Sequence, residues 1–415
     1  MLANGLEVLV LPSNRAPIVT QLVYYKVGSA DEEPGKSGLA HFLEHLMFKG
    51  TRTVAPTELS RTVARSGGRD NAFTTSDYTG FYQTVAPAQI ELMMRFEADR
   101  MANLVITEKE LLPERDVVLE ERRLRTDNSP TNLLAEQISL ALWGREGYGN
   151  PTAGWPEEVR QLGVADAEAF YRRWYAPNNA VLIIAGDVRP AGMFALAEKY
   201  FGVNPRRDVP PRVRPDHPAA DLPRDVERRD PRVRQAECGQ DWVAPSYRMG
   251  ETRHAYALQA LGHIMGGGQV SRLWQRLVMD RKIALSASAD YDPQALGLTS
   301  FGFWLSPAPG HSIAEMESAL AQEIDRLLQD GVTAQELSRA VNRVMAATVY
   351  WRDGHAGLAR LYGSTICTGG TVADVEQWAE RIAAVTREQI LEAARAVLTT
   401  RQTVRSRLLP QDGTQ

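Results

Sequence analysis

Cysteine is almost absent. The only two, Cys238 and Cys367, fall outside any C-x-x-C pair. That pattern argues against a cysteine zinc site or a disulfide framework, and leaves open one bridge between the two. Lysine is scarce as well, confined to positions 26, 36, 49, 109, 199 and 282, so arginine carries nearly all the positive charge. The arginines are scattered among acids and the formal net charge is -4. A basic footprint for nucleic acid is therefore missing, and the arginines read as solvated surface. Long apolar runs are missing too. None reaches the roughly 18 residues that span a bilayer, so no membrane span is expected. No basic-then-apolar leader precedes the first strand-like segment, Leu6 to Leu11. Two origins fit that start: a cytosolic protein, or an exported one whose leader has been removed.

What remains is ordinary globular composition, 44% hydrophobic and 24% charged, which excludes a collagen, a disordered chain and a coiled-coil rod. A chain of 415 residues exceeds one ordinary core, so two domains are expected. Short apolar runs alternate with amphipathic stretches, the mark of an α/β or α+β architecture, of which α+β is expected. Glu7 to Leu11 and Ile18 to Val27 read as strands joined by a turn with Pro12, Asn14 and Pro17. Gly38 to Phe48 reads as a helix closed by Gly50. Asn71 to Val85, rich in Thr, Phe and Tyr, reads as one or two strands. Helices follow over Ala88 to Met101 and from Thr107, where Thr107 and Glu110 form a capping-box pattern. Ala180 to Ala185 reads as a buried strand and Ala191 to Tyr200 as a helix. Prolines at 205, 210, 211, 215, 218, 223 and 231, laced with Arg and Asp, then forbid a regular helix or a central strand. The expected division is a domain over 1–205, a linker over 206–234 and a second domain over 235–415. The halves read as distant copies. The helix ending Leu46-Met47-Phe48-Lys49-Gly50 matches one ending His263-Ile264-Met265-Gly266-Gly267. Leu258, Leu261 and Gly262 then stand where the first copy has His41, Glu44 and His45, and the second copy is expected to bind no metal.

Histidine is also rare, seven in all, which makes His41-Phe42-Leu43-Glu44-His45 informative. Residues four apart share a helix face, so both imidazoles can reach one ion. Glu44 stands at the edge of that face, able to contact a water on the metal without ligating. This is the reversed form of the H-E-x-x-H zinc motif. Catalytic zinc commonly takes three protein ligands. The capped helix after Thr107 offers Glu114, Glu120 and Glu121. Glu114 and Glu121 are seven residues apart, nearly two turns, and share a face with Leu111 and Val118. Glu120 points about 100° away. A carboxylate in an apolar stripe needs a partner, so Glu121 is assigned as third ligand and Glu114 as a carboxylate that orients a ligating histidine. His217, His254, His263, His311 and His355 lack ligand spacing and read as surface or packing residues. The Gly266-Gly267-Gly268 run lacks a following Lys-Ser/Thr and reads as a turn, not a phosphate cradle.

His41 to His45, the flanking Gly38-Leu39-Ala40 and Phe48-Lys49-Gly50-Thr51, and Glu114-Arg115-Asp116-Val117-Val118 together resemble the pitrilysin/insulinase-type (M16) zinc metallopeptidases. The resemblance runs along the whole chain, and its length matches the bacterial half-length (M16B) type. It implies two homologous α/β domains, each a mixed or antiparallel sheet flanked by helices, pairing with a second chain into a closed chamber. It also implies one Zn2+ per chain on His41, His45 and Glu121, the last lying 76 residues after His45 as the family's pattern requires. Glu44 would be the general base on a zinc-bound water, in an endopeptidase acting on peptides or unfolded protein. Asn71, Ala72 and Phe73 look like the family's edge strand, where substrate is added as a β-strand.

One departure accompanies the match. Active relatives use an arginine and a tyrosine seven residues apart in the second half to steady the substrate carbonyl and the oxyanion. The matching positions here hold Val278 and Leu285, and neither can donate a hydrogen bond. Arg276 and Arg281 are out of phase. A homologous M16-type partner carrying that pair is therefore expected, in a heterodimer. The alternatives are a self-sufficient homodimeric peptidase and a non-catalytic assembly or scaffold subunit. Bacterial relatives of this type are often exported, which tilts the expected compartment toward the periplasm over the cytoplasm.

Overall fold

A computed structural model describes residues 1–216 and 224–411, without the side chains of 347–353 and 355. His217 and the His355 side chain lie outside the described residues, as does 217–223 of the expected linker. The chain folds into two compact units. One comprises Met1–Arg122, Glu146–Val213 and Tyr350–Val375, the other Arg123–Arg145, Arg214–Val349 and Glu376–Gln415.

The first unit holds strands β1 (Glu7–Pro12), β2 (Val19–Tyr25), β3 (Arg69–Thr74), β4 (Thr79–Val85) and β5 (Ala180–Gly186). They form one sheet in the order β1-β5-β2-β4-β3. Strand β5 runs parallel to β1, and the remaining pairs are antiparallel. The strands before and after Pro12 to Pro17 thus do not pair with each other, because β5 lies between them. Strands β2 and β5 are buried on both faces. Val19, Val23, Leu182 and Ile184 join the main core beneath the helices, whereas Leu22, Tyr24, Val181 and Ile183 join a second cluster on the opposite face. Burial on both faces is why β5 reads as an unbroken apolar run, AVLIIAG, rather than an alternation.

The second unit repeats the plan with β6 (Asp225–Asp230), β7 (Glu237–Ala244), β8 (Ala284–Tyr291), β9 (Thr299–Pro307) and β10 (Thr403–Pro410), in the order β6-β10-β7-β9-β8. Strand for strand this is the order of the first sheet, so the internal similarity read from the two helix ends extends to the whole topology. The fold is α+β, two α/β domains each built on a five-stranded mixed sheet. Part of the expected linker is itself structured. Strand β6 pairs in parallel with β10, from Asp225 opposite Arg405 to Asp230 opposite Pro410. It stands at the sheet edge, where charged side chains alternate outward and Pro231 just beyond it disturbs no second partner.

Neither unit is a contiguous half of the chain, as a division at 206–234 would require. The helix Pro130–Trp143 packs Leu134, Ile138 and Leu142 with Val243, Val404 and Leu408 of the second sheet and with Val233, between β6 and β7. The helix His355–Cys367 packs Ala359, Tyr362, Ile366 and Cys367 on Leu22, Tyr24, Val181 and Ile183 of the first. Each sheet thus has its second face covered by a helix from the other half of the sequence. Both cysteines are buried and free. No helix among the described residues is long and apolar enough to cross a membrane.

Candidate metal centre

The helix Leu39–Leu46 carries His41, Glu44 and His45. Its apolar residues Leu39, Ala40, Phe42, Leu43 and Leu46 are buried in the main core. The start of the helix is tied down by Glu32, whose carboxylate accepts from the backbone N–H of Gly38 at 2.9 Å and of Ala40 at 2.8 Å. These are donors that a helix leaves unpaired at its first turn. His41 and His45 then lie edge to face, ring centres 4.8 Å apart.

The third donor comes from the helix Glu108–Arg122, where Leu111, Glu114, Val118 and Arg122 form the buried stripe. Glu121 stands beside that stripe, half-buried, and Glu120 is exposed. The Glu121 carboxylate reaches both imidazoles: Oε1 is 3.7 Å from His41 Nε2 and Oε2 is 3.3 Å from His45 Nε2. One ligand atom from each of His41, His45 and Glu121 lies within 4.8 Å of the others. Two imidazole nitrogens and a carboxylate oxygen are the donor set of a catalytic zinc site with open positions. The residues present fit that ion.

The groups around the donors are also specific. His45 Nδ1 and Glu114 Oε1 are 2.8 Å apart. With Nδ1–H donating to the carboxylate, the Nε2 lone pair is free on the side facing Glu121. The other Glu114 oxygen is held by the Lys49 ammonium. Burial disfavours the His45 imidazolium, but the hydrogen bond to Glu114 and the charges of Glu114, Glu121 and Glu44 outweigh it, and its pKa is raised. Burial pushes the Glu114 carboxyl up, yet His45 and Lys49 together hold it below the usual carboxylate range. Glu44 is buried and accepts a hydrogen bond from Thr74 Oγ1 at 2.5 Å. Sequence reading assigned no role to Thr74 or Lys49. Lys49 sits inside a quoted motif and Thr74 directly after Phe73, but contact across 30 residues or to a distant helix leaves no local pattern.

Thr74 ends strand β3, the edge of its sheet, which also carries Asn71, Ala72 and Phe73. Ala72 packs toward the main core and Phe73 toward the opposite face. In the second unit the helix Ala255–Gly266 buries Leu258, Leu261 and Gly262 in an apolar core. Val278 packs partly against that core and Leu285 on β8 is 48% exposed. Arg276 pairs with Glu323 at 3.2 Å.

Zinc protease PqqE of Helicobacter pylori is 31% identical over 341 residues, 81% of this chain and 76% of that protein. A sequence profile described as insulinase (peptidase family M16) matches residues 8–155, and one described as peptidase M16 inactive domain matches 161–344. The chain belongs to peptidase family M16. An uncharacterized zinc protease of Mycobacterium leprae, ML0855, is 30% identical over 96% of this chain and 89% of its own length. The crystal structure of a protease from Helicobacter pylori covers 99% of this M16 chain and 98% of that chain, with a TM-score of 0.89 at 26% identity. The periplasmic protease PqqL from Escherichia coli shares the fold, with a TM-score of 0.84 at 20% identity, and the match covers 47% of that chain.

Proposed function

We propose that this M16 chain is the metal-bearing subunit of a zinc endopeptidase acting on peptides or unfolded protein segments. The observation that carries the reading is the convergence of His41, His45 and Glu121 within 4.8 Å, with the buried Glu44 carboxylate beside them. One zinc ion, held by those three residues, would supply Lewis acidity to the scissile carbonyl and to the attacking water. The protein's own groups do the rest. Glu44 accepts the proton of the attacking water and passes it to the leaving amine. Thr74 keeps the Glu44 carboxylate in one orientation. Glu114 fixes the tautomer and ring plane of His45. The β3 edge at Asn71, Ala72 and Phe73 would receive a substrate strand, with the Ala72 N–H passing from Asn71 Oδ1, which it meets at 2.8 Å, to the substrate, a mode that reads backbone more than sequence.

No oxyanion clamp comes from Val278 and Leu285, and Arg276 is engaged by Glu323. A homologous chain with an arginine and a tyrosine at those two positions would complete the site, in a heterodimer and in the periplasm. The test is turnover of an internally quenched peptide by the zinc-loaded chain, alone and mixed with such a partner. The mixture is expected to cleave and the chain alone is not. Glu44→Gln is expected to retain about one zinc per chain and abolish cleavage. Full turnover by the isolated chain would refute the heterodimer. Zinc binding without cleavage in any pairing would leave a non-catalytic assembly subunit.

A further inference from the structure

The face of β3 that looks away from the metal carries a cation that the chemistry above does not use. Arg360, on the helix His355–Cys367, is exposed. Its guanidinium carbon lies 5.5 Å from the ring centre of Phe73 and 4.9 Å from that of Tyr82. Among the described residues no carboxylate pairs with it. Two glycines hold this arrangement. A Cβ on Gly363 would stand 2.2 Å from Tyr24 Cε2, so the absence of a side chain lets the helix seat directly on the β2 ring. A Cβ on Gly80 would stand 2.4 Å from Phe73 Cζ, so the Phe73 ring lies flat over β4, with its centre 5.6 Å from that of Tyr24. Stacking on two rings fixes the guanidinium while using none of its five N–H donors, which among the described residues are left for a planar, bidentate acceptor.

Side chains alternate along β3. Ala72 and Thr74 turn toward the metal-site helix, where Thr74 meets Glu44, and Phe73 turns to the Arg360 face. A strand added along this edge repeats the alternation, so every second substrate side chain stands on the Arg360 face beside Phe73. We propose that Arg360 is a specificity-determining residue that binds an aspartate or glutamate side chain of the substrate strand, on the face opposite the metal. The proposal rests on the strand-addition reading above, but its test does not depend on cleavage.

The probes are C-terminally amidated peptides in which one glutamate is moved stepwise through a neutral sequence, each with a glutamine counterpart. Binding is measured by fluorescence anisotropy to full-length Glu44→Gln protein, and kcat/KM on the active enzyme. Glutamate is expected to be preferred over glutamine roughly fivefold, the upper end for an exposed ion pair, at positions of one parity only. Arg360→Gln should abolish the preference, Arg360→Lys should retain part of it, and Arg360→Glu should reverse it in favour of lysine peptides. Equal binding of glutamate and glutamine peptides at every position would overturn the proposal. So would a preference that survives in Arg360→Gln, or one seen only when the peptide carries a free terminal carboxylate. A parity-dependent preference in binding without cleavage would sustain Arg360 and refute the peptidase reading instead.

Discussion

Thr74 offers the sharpest check on how the base is held. Its hydroxyl donates to Glu44 Oε2 at 2.5 Å. The neighbouring Thr79 hydroxyl lies 3.4 Å from Thr74 Oγ1, but it donates to the Val27 carbonyl at 3.0 Å, so its single proton cannot replace the lost one. Thr74→Val keeps the volume and the strand preference of a β-branched residue and removes only the donor. A hydrogen bond to a charged group contributes roughly 1.5–3 kcal/mol. At about 1.4 kcal/mol per tenfold in rate, losing it in the transition state lowers kcat by roughly 10- to 100-fold. The metal donors are untouched, so zinc content should stay at the wild-type level, and Thr74→Ser should recover most of the activity. Steady-state kinetics on a quenched peptide, with zinc measured on the same samples, read both quantities. A Thr74→Val enzyme within twofold of wild-type kcat at full zinc occupancy would show that Glu44 is oriented by something else. Loss of zinc would show that Thr74 supports the ligands and not the base.

Two further outcomes follow from the same structure. Glu114→Ala removes the acceptor from His45 Nδ1 and the partner of Lys49; zinc affinity should fall roughly 10- to 100-fold, read by competition with a chromophoric chelator, and unchanged affinity would remove Glu114 from its orienting role. In the second unit, burial, with a smaller contribution from Asp290, pushes the Asp241 carboxyl up to about 7. The folded form therefore holds a proton that the unfolded chain, with an ordinary value near 4, releases. The stability associated with that proton is present below about pH 4 and is lost as pH rises toward 7. Asp241→Asn should therefore gain in relative stability across that window and level off above it, as followed by urea unfolding at several pH values. A pH-independent difference would contradict the buried, protonated assignment.

His41, Glu44 and His45 could be read from the chain because helical period alone puts residues four apart on one face, whatever the helix packs against. Glu121 could be preferred to Glu120 for a similar reason: Leu111, Glu114 and Val118 mark the buried side of their helix, and Glu121 falls beside it. The doubly buried strand β5 announced itself as an unbroken apolar run. Strand β6 did not, because an edge strand with charged outward residues resembles a solvated linker until its single neighbour, β10, is known. Phe73 could be placed on a strand but not over Gly80, since the seat of a ring depends on which residue lies opposite.

Local periodicity and residue chemistry thus placed two imidazoles and a carboxylate on helix faces suited to one divalent ion. They act within a few residues, so neighbouring letters suffice to reveal them. Only the folded chain decided that the helices Pro130–Trp143 and His355–Cys367 cross over to cover each other's sheets, that Thr74 meets Glu44, and that Arg360 rests on Phe73 and Tyr82. An apolar helix face specifies that it must be covered and not by what, because hydrophobic attraction is non-directional. The partner is selected by packing of the whole chain at once.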